Sequence, residues 1–480
     1  MRLFVFGLCC VSCVATAPPV RSAPPGADTY GDGVDWQATG DEVVTLLQGY
    51  LQVDTVNPPG NELRGAEYLK AALERDGIAA HIVEFEPGRA NLVARLEATK
   101  PSGEKPLCLL SHLDVVTSEA DQWEHPPLSG ELAGGPDGGS EPMVWGRGAL
   151  DMKGMGIVEL ETLVLLKRMK VPLDRDVVLL AVAGEEIGNQ GMKALVKGDA
   201  WPGCGHLINE GGLGLRDALI PGQTAFAISV AEKGVLWLRL RAKGEAGHGS
   251  TPMPGRAPME LLKAAAALMA REPKPRVHPS LYELLRRAGE QKGGVSGFVM
   301  QRPGLVDLLL EKRLMSKPTT RATMTDTCQV TGYVGVGSAP NVIPSEVTAN
   351  IDCRVLPGTS PDTLLAELKE RIKDVQGVTL EVVSKEEANE STWDDEVFAS
   401  LARNAVRGRP DAVSGPVLSV GYTDSLVARP LGTRAYGFVP FEVSAEELAT
   451  MHGKNERVSV ANLKRGAEVL FRAVVDVVVP

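Results

Sequence analysis

The chain lacks an excess of basic residues. Its 50 Lys and Arg residues are outnumbered by 61 Asp and Glu residues, which gives a formal net charge of −11 and a pI near 5.3. Nucleic acids and anionic membranes both require a basic protein surface, so we expect neither to be the main partner. The 480 residues are long enough for two or three domains, and a small molecule is the expected partner.

The sequence also lacks the short Cys-x-x-Cys spacing of a structural zinc site. After the N-terminal segment its cysteines are widely separated, at Cys108, Cys204, Cys328 and Cys353. No disulfide framework follows from these positions, and the apolar or alternating neighbours of Cys108 and Cys353 predict buried free thiols. We find no internal repeat and no long low-complexity linker.

The N-terminus has the order of a secretory signal. A basic start is followed by an apolar run from Leu3 to Ala17 and then by small residues and prolines. The run is too short to cross a bilayer comfortably, so we predict no integral membrane span after processing. We place a signal segment at residues 1–23 and expect an exported protein, periplasmic or secreted. Three cysteines leave lipid attachment open: Cys9, Cys10 and Cys13.

Apolar stretches typical of strands alternate with helical stretches in the first half of the chain. Three of these strands, residues 106–110, 176–183 and 205–208, lead directly into polar residues. This alternation predicts an α/β sheet, and the carboxyl ends of its strands are where such a sheet places its site. The glycine-rich stretch Gly146–Gly154 also delivers one carboxylate, Asp151, directly ahead of an apolar helical run.

The pattern changes after about residue 231, where half-polar strands and two helices predict a smaller α+β domain inserted into the first. We place the first part of the larger domain at residues 24–232, the inserted domain at 233–389 and the second part of the larger domain at 390–480. Residues 272–322 form a helical segment that the small domain does not need and that we expect to lengthen it.

Two histidines and five carboxylates stand at the predicted strand ends or in turns: His112, Asp114, Asp151, Glu185, Glu186, Glu210 and His452. Any one of them alone is more often a surface group, and Asp151 alone is as well explained as a helix cap. Gathered at one sheet edge, however, they would repel one another or stay unsatisfied without a cation. Imidazole and carboxylate without thiolate suit zinc, manganese or cobalt in a hydrolytic site.

These residues stand in stretches that resemble, in the same order, those of the two-zinc amidohydrolases. That metallopeptidase family includes aminoacylase, glutamate carboxypeptidase, succinyl-diaminopimelate desuccinylase and carboxypeptidase S. The matching stretches are Ser111–Val115, Gly146–Gly154, Gly184–Glu186, Asn209–Gly211, Gly247–Ser250, Asn341–Pro344, Asp352–Arg354 and Met451–Asn455. The neighbourhoods of Glu232, Gly421 and His452 are most similar to the carboxypeptidase S and N-acyl-amino-acid hydrolase branch.

The resemblance implies a zinc-peptidase-like catalytic domain with a central mixed sheet and helices on both faces. It also implies that the inserted domain is ferredoxin-like and serves as a lid or dimerisation domain. Two divalent ions, Zn²⁺ before Co²⁺ or Mn²⁺, would be bridged by Asp151. The remaining ligands would be His112 and Glu210 for one ion, and Glu186 and His452 for the other.

The resemblance also implies the roles of the other residues. Asp114 would orient the His112 imidazole from behind, and Glu185 would act as general base and then as general acid. On the inserted domain, His248 and Asn341 would hold the oxyanion. Arg354 would grip the substrate carboxylate as a fork, helped by the turn at Gly421. In many relatives the histidine reaches a neighbouring subunit, so we expect a homodimer, although the 272–322 segment leaves action within one chain open.

The expected function is hydrolysis of an amide or peptide bond beside a free carboxylate, as a carboxypeptidase or an N-acyl-amino-acid hydrolase acting on a small peptide or N-acyl amino acid. A dipeptidase is the alternative, and it would need a pocket for the free ammonium group of its substrate. A non-catalytic, metal-binding relic of the fold is the alternative from another class. Glu185 argues against it, because a binding protein needs no base beside its metals.

Overall fold

The computed structural model describes residues 27–251, 253–334 and 339–480, so the predicted signal segment lies outside the described residues. Its main helices are Trp36–Leu51, Glu62–Arg75, Lys153–Arg168, Gln190–Lys197, Ala257–Met269, Pro279–Lys292, Gly294–Met300, Pro303–Leu309, Glu311–Ser316, Pro318–Met324, Pro361–Ile372, Glu396–Ala405 and Val460–Val478. Shorter ones are Ala27–Asp32, Ser425–Ala428 and Ala445–Leu448. Among the described helices, none combines the length and hydropathy that crossing a bilayer demands.

A mixed sheet of eleven strands, counted within the described ranges, forms the centre of the larger domain. Its main order is Ala80–Glu86, Arg89–Leu96, Val177–Val182, Leu107–His112, His206–Asn209, Arg434–Gly437, Thr224–Glu232, Gly214–Arg216 and Glu442–Val443. Two further strands pair with Thr224–Glu232: Asn389–Glu390 and Ala412–Ser419. The four neighbouring strands from Val177–Val182 to Arg434–Gly437 run parallel. The predicted α/β class with a central mixed sheet is confirmed.

The central strands are buried on both faces, which explains why their sequences are continuously apolar. Leu109 and Leu179 point into a core formed with the helices Lys153–Arg168 and Val460–Val478. Their neighbours Leu110 and Leu180 point to the other face and pack against the helix Gln190–Lys197. Helices therefore cover both faces of these central strands. The polar site residues described below lie at the ends of the strands.

A smaller antiparallel sheet has the order Thr327–Val334, Glu346–Val355, Gly234–Lys243 and Val378–Glu386. Two helices, Ala257–Met269 and Pro361–Ile372, pack on one face of it through a separate apolar core. The chain leaves the large sheet after Glu232 and pairs with it again at Asn389. Other short strands form separate ladders: Val56–Asn57 with Val115–Val116, Gly247–His248 with Val342–Ile343, and Glu131–Gly135 with Gly139–Trp145 and Arg457–Ser459. The domain limits given above stay predictions.

The five helices between Pro279 and Met324, here called the helical insert, pack against the large sheet and not against the small one. Leu285 and Ala288 of its first helix and Val306 of its third share an apolar cluster with Ala225 and Val413 of the large sheet. The insert therefore rests on the larger domain, whereas we expected the 272–322 segment to lengthen the smaller one. Its apolar periodicity predicted helices, but not the surface on which they pack.

The prediction of buried free thiols is wrong. Cys108 is bonded to Cys204, with 5.9 Å between their Cα atoms, and Cys328 is bonded to Cys353, with 4.0 Å between theirs. The first bond joins two neighbouring parallel segments of the large sheet, and the second joins two neighbouring strands of the small sheet. Disulfides persist in oxidising compartments, which agrees with the predicted export.

Removing the first disulfide by Cys108→Ala with Cys204→Ala should lower the free energy of unfolding by about 2–4 kcal/mol, because the bond closes a long loop. Urea unfolding of the purified protein measures this loss. The shorter Cys328–Cys353 loop offers the matched control, and its double Ala variant should lose less. Alkylation of Cys204 in the folded, unreduced protein would contradict the pairing.

Candidate metal centre and active site

Three parallel strands deliver the predicted site residues to one edge of the large sheet. His112 is the last residue of the strand Leu107–His112. Glu185 and Glu186 follow the neighbouring strand Val177–Val182, and Glu210 follows His206–Asn209 on the other side. Neighbouring parallel strands end at the same edge of a sheet. Residues that end or directly follow these strands therefore lie close together in space.

The turn before the helix Lys153–Arg168 brings in Asp151. Gly148 in this turn has a φ of +91°, and a Cβ there would lie 2.7 Å from a methyl carbon of Val115. Only glycine adopts this conformation without strain. The glycine-rich sequence thus has a structural reason, which is to let the chain turn sharply and present Asp151 towards the strand ends.

Asp151 lies between two histidines, with one carboxylate oxygen towards each. Its Oδ1 is 3.0 Å from Nε2 of His112, and its Oδ2 is 3.2 Å from Nε2 of His452. Nε2 of His112 is also 3.6 Å from Glu210, and Nε2 of His452 is 3.1 Å from Glu186. The five residues predicted as metal ligands therefore form two His–Glu pairs that share one aspartate.

The pKa shifts of this cluster reflect acidic groups and imidazoles that are buried close together. Burial raises the pKa of both Glu185 and Glu210, and repulsion by neighbouring carboxylates raises it further. Hydrogen bonds to Asp151 and Glu186 raise the pKa of His452 to about 10. His112 also has a raised pKa, because its acidic neighbours outweigh its burial. Without a nearby cation, Glu185 and Glu210 therefore favour the protonated form more than exposed carboxyl groups do.

The donor atoms suit divalent metal ions. Ligand atoms of His112, Asp151 and Glu186 lie within 4.8 Å of one another, and so do those of His112, Glu185 and Glu210. Imidazole nitrogen and carboxylate oxygen are ligands that zinc, cobalt and manganese accept. The residues present thus fit the two ions that the sequence predicted, although they do not select one metal.

Asp114 contacts His112 differently from our expectation. The backbone carbonyl of Asp114 accepts the Nδ1–H of His112 at 2.8 Å, whereas the nearer carboxylate oxygen is 3.8 Å from that nitrogen. A carbonyl can only accept, so it places the proton on Nδ1 and leaves Nε2 to face Asp151. The Asp114 carboxylate instead accepts the backbone N–H of Glu185 at 3.1 Å and the side-chain amide of Asn57 at 2.9 Å.

A buried ion pair that the sequence analysis missed holds the metal loops together. The carboxylate of Glu456 accepts three backbone N–H groups of the Asp151 turn, among them that of Asp151 itself at 3.0 Å. It also accepts Arg147 Nη1 at 2.6 Å, while Nη2 of Arg147 donates to the carbonyl of Gly453, the residue after His452. Glu456 and Arg147 thus link the turn of Asp151 to the loop of His452.

Changing Glu456 to Gln should weaken metal binding on the order of 10- to 100-fold, because residues that support metal ligands have effects of this size. The amide would present an NH₂ group where the carboxylate accepts several donors. Competition with a chelator measures the affinity. Glu396→Gln, which breaks an ion pair with the buried Arg175 and touches neither metal loop, is the control and should leave the affinity unchanged. An unchanged affinity in the Glu456 variant would argue against this positioning role.

The turn at Gly421 is tied to the same edge of the sheet. Asn209, the last residue of the strand before Glu210, donates to the hydroxyl of Thr423 at 3.2 Å. Asn189, which follows the Glu185 loop, donates to the carboxylate of Asp424 at 2.9 Å. Burial raises the pKa of Asp424 to about 7. These polar contacts hold the turn beside the metal cluster.

Arg354 extends from the small sheet towards this turn. Its guanidinium donates two parallel hydrogen bonds to Asp352, at 2.8 and 3.1 Å, and lies 5.0 Å from the ring centroid of Tyr422. The remaining nitrogen, Nη1, is buried and has no hydrogen-bond partner within the described residues. An unused guanidinium donor at the boundary between the two sheets is suited to an anionic ligand.

His248 and Asn341 lie on two paired segments, and within the described residues their side chains make no hydrogen bond to the metal cluster. Their segments pair as a short antiparallel ladder, and the backbone N–H of Gly249 donates to the carbonyl of Asn341 at 2.8 Å. The exposed His248 ring contacts the hydroxyl of Ser250 at 2.7 Å. In the part of the chain that is described, no hydrogen bond or ion pair joins either side chain to the cluster. Their role and the homodimer stay predictions.

Comparison with known proteins gives several matches. Residues 108–476 match the family described as Peptidase family M20/M25/M40. The chain is 27% identical over 77% of its length to "Probable carboxypeptidase S-like 2" of Dictyostelium discoideum, covering 71% of that protein. It is 28% identical over 79% of its length to "N-fatty-acyl-amino acid synthase/hydrolase PM20D1" of Homo sapiens, covering 75% of that protein.

The fold is also similar to that of a solved structure. An M20 family metallo-carboxypeptidase, Sso-CP2 from Sulfolobus solfataricus, superposes with a TM-score of 0.69 over 91% of this chain and 100% of that one. The sequence identity is 19%, so this likeness concerns the fold alone.

Proposed function

Because the chain belongs to peptidase family M20/M25/M40 and is a metal-dependent hydrolase, we propose that it hydrolyses an amide or peptide bond next to a free carboxylate. Its substrates would be small peptides or N-acyl amino acids. The observation that carries this proposal is Asp151, whose two oxygens each face a separate His–Glu pair, with Glu185 beside them as an additional carboxylate. The names of the relatives, a carboxypeptidase and an N-acyl-amino-acid hydrolase, agree with it.

In this proposal, His112 and Glu210 would hold one divalent ion, His452 and Glu186 would hold the other, and Asp151 would serve both pairs. When bound, such ions would acidify water and polarise a carbonyl group. Glu456 and Arg147 hold the Asp151 turn and the His452 loop together, so that both His–Glu pairs face Asp151.

Glu185 moves the proton. Its carboxylate takes a proton from the attacking water and then delivers it to the nitrogen of the leaving group. Burial and the nearby Glu210 raise the pKa of Glu185, which brings a carboxylate closer to the range in which it both accepts and returns a proton. The backbone N–H of Glu185 donates to the Asp114 carboxylate. Because Asp114 is two residues from His112, this bond keeps Glu185 close to His112.

Arg354 binds the free carboxylate of the substrate. Its fork is oriented by Asp352 and by the Tyr422 ring, which leaves Nη1 available as a donor. A carboxylate bound there would be fixed relative to the cluster across the boundary between the two domains. This requirement for a free carboxylate is the feature that separates the proposal from general amidase activity.

Changing Glu185 to Gln should lower kcat on the order of 10² to 10⁴, since it removes a positioned proton-transfer group, while both metals stay bound. Asp151→Ala should lose metal as well as activity, because it removes a ligand common to both pairs. Metal analysis and turnover of the same samples separate the two effects. Full turnover by the Glu185 variant, or two ions per chain in the Asp151 variant, would contradict the assignments.

A substrate panel tests the reaction class. The metal-loaded enzyme should hydrolyse N-acyl amino acids or peptides with a free carboxylate and should not hydrolyse the same compounds as C-terminal amides. Arg354→Lys should raise KM more than it lowers kcat, since the single nitrogen of lysine cannot hold Asp352 by two parallel hydrogen bonds while a further donor faces the substrate carboxylate. Equal rates for free and amidated substrates would refute the proposal. Exclusive cleavage of dipeptides with a free amine would replace it with a dipeptidase.

A further inference from the structure

The helical insert has an inner face that packs against the large sheet and an outer face that packs against no other element among the described residues. On the inner side, Leu285, Ala288, Met300 and Val306 pack against the large sheet. None of the residues assigned to the metal cluster or to substrate binding lies in this segment. The outer face is therefore not explained by the reaction or by the packing of the insert.

The outer face exposes large apolar side chains on two consecutive short helices. Val295 and Phe298 lie on Gly294–Met300, are 84% and 51% exposed, and are three residues apart on one helix face. Leu308 and Leu309 end the next helix and are 76% and 57% exposed. These two helices contact each other, and large apolar side chains exposed on neighbouring helices commonly mark a binding surface.

The insert is also basic, in contrast to the protein as a whole. Between residues 279 and 324 it has eight Lys or Arg residues and four Asp or Glu residues, whereas the whole chain has a net charge of −11. Six of these cations are exposed: Lys292, Arg302, Lys312, Arg313, Lys317 and Arg321. Within the described residues none of the six forms an ion pair, and Arg302 instead lies 3.4 Å from the centroid of the Phe298 ring.

We propose that the outer face of the helical insert docks the enzyme on an anionic lipid surface. Apolar side chains flanked by free lysines and arginines are the composition of segments that lie in a membrane interface, where the apolar groups enter the acyl boundary and the cations meet lipid phosphates. The overall acidic charge does not oppose this, because charge–charge forces at physiological salt act over about 8 Å and only the local face is near the lipid.

A second copy of this chain fits the face less well. An isologous contact would bring this net positive face against itself, and within the described residues none of the six exposed cations forms an ion pair that would offset the repulsion. Charge complementarity therefore favours an anionic surface as the occupant over self-association.

Co-sedimentation of the purified, metal-loaded protein with lipid vesicles tests the proposal. Binding is expected to vesicles that contain phosphatidylglycerol, to be weak with phosphatidylcholine alone, and to fall as salt rises. The variants Phe298→Ser with Leu308→Ser, and Lys312→Glu with Arg313→Glu, should each weaken partitioning on the order of tenfold or more. Hydrolysis of a small soluble substrate and the Tm should stay unchanged in both, because these side chains are exposed.

Matched controls alter equivalent groups elsewhere. Leu262→Ser removes an exposed leucine of the small domain, and Lys100→Glu with Lys167→Glu reverses two exposed lysines of the larger domain. Both should bind vesicles as the unaltered protein does. Absent vesicle binding, or binding that the control variants weaken as much as the insert variants, would overturn the proposal. So would a concentration-dependent dimer that the insert variants disrupt while vesicle binding is absent.

Discussion

Repulsion among carboxylates at one edge of the large sheet is the constraint on which the rest of this structure depends. Parallel strands and the Asp151 turn bring Glu185, Glu186 and Glu210 close to Asp151, where burial makes each negative charge costly. The two histidines offset only part of this charge. A divalent cation would relieve this repulsion without protonating the carboxylates, so the same concentration of negative charge suits the cluster to metal binding.

Holding such a cluster requires a second set of buried polar contacts. Glu456 and Arg147 connect the turn of Asp151 to the loop of His452, and the Asp114 carboxylate connects the Glu185 backbone to Asn57. The carboxylates of Glu456 and Asp114 each accept at least two hydrogen bonds, which lowers the cost of burying them. The ligands are thereby positioned by residues that themselves touch no substrate.

The two sheets carry different parts of the proposed site. The predicted metal ligands and Glu185 lie at the large sheet and the loops around it, whereas Arg354 lies on the small sheet and is 5.0 Å from the centroid of the Tyr422 ring. The helical insert packs on the large sheet, so its basic, partly apolar outer face belongs to the part of the molecule that carries the metal cluster. Docking through that face would hold the metal-bearing domain at a surface while the small sheet stays free of it.

Local residue order was enough to predict the α/β sheet and the candidate ligands. The apolar strands were recognisable, and His112, Glu186 and Glu210 end or follow them within a few residues. Which distant residues meet became clear from the folded structure. The disulfide partner of Cys108 is 96 positions away, and Glu456 is 305 positions from Asp151, whose backbone it holds. Such pairings follow from strand order and packing, and no local pattern of residue types encodes them.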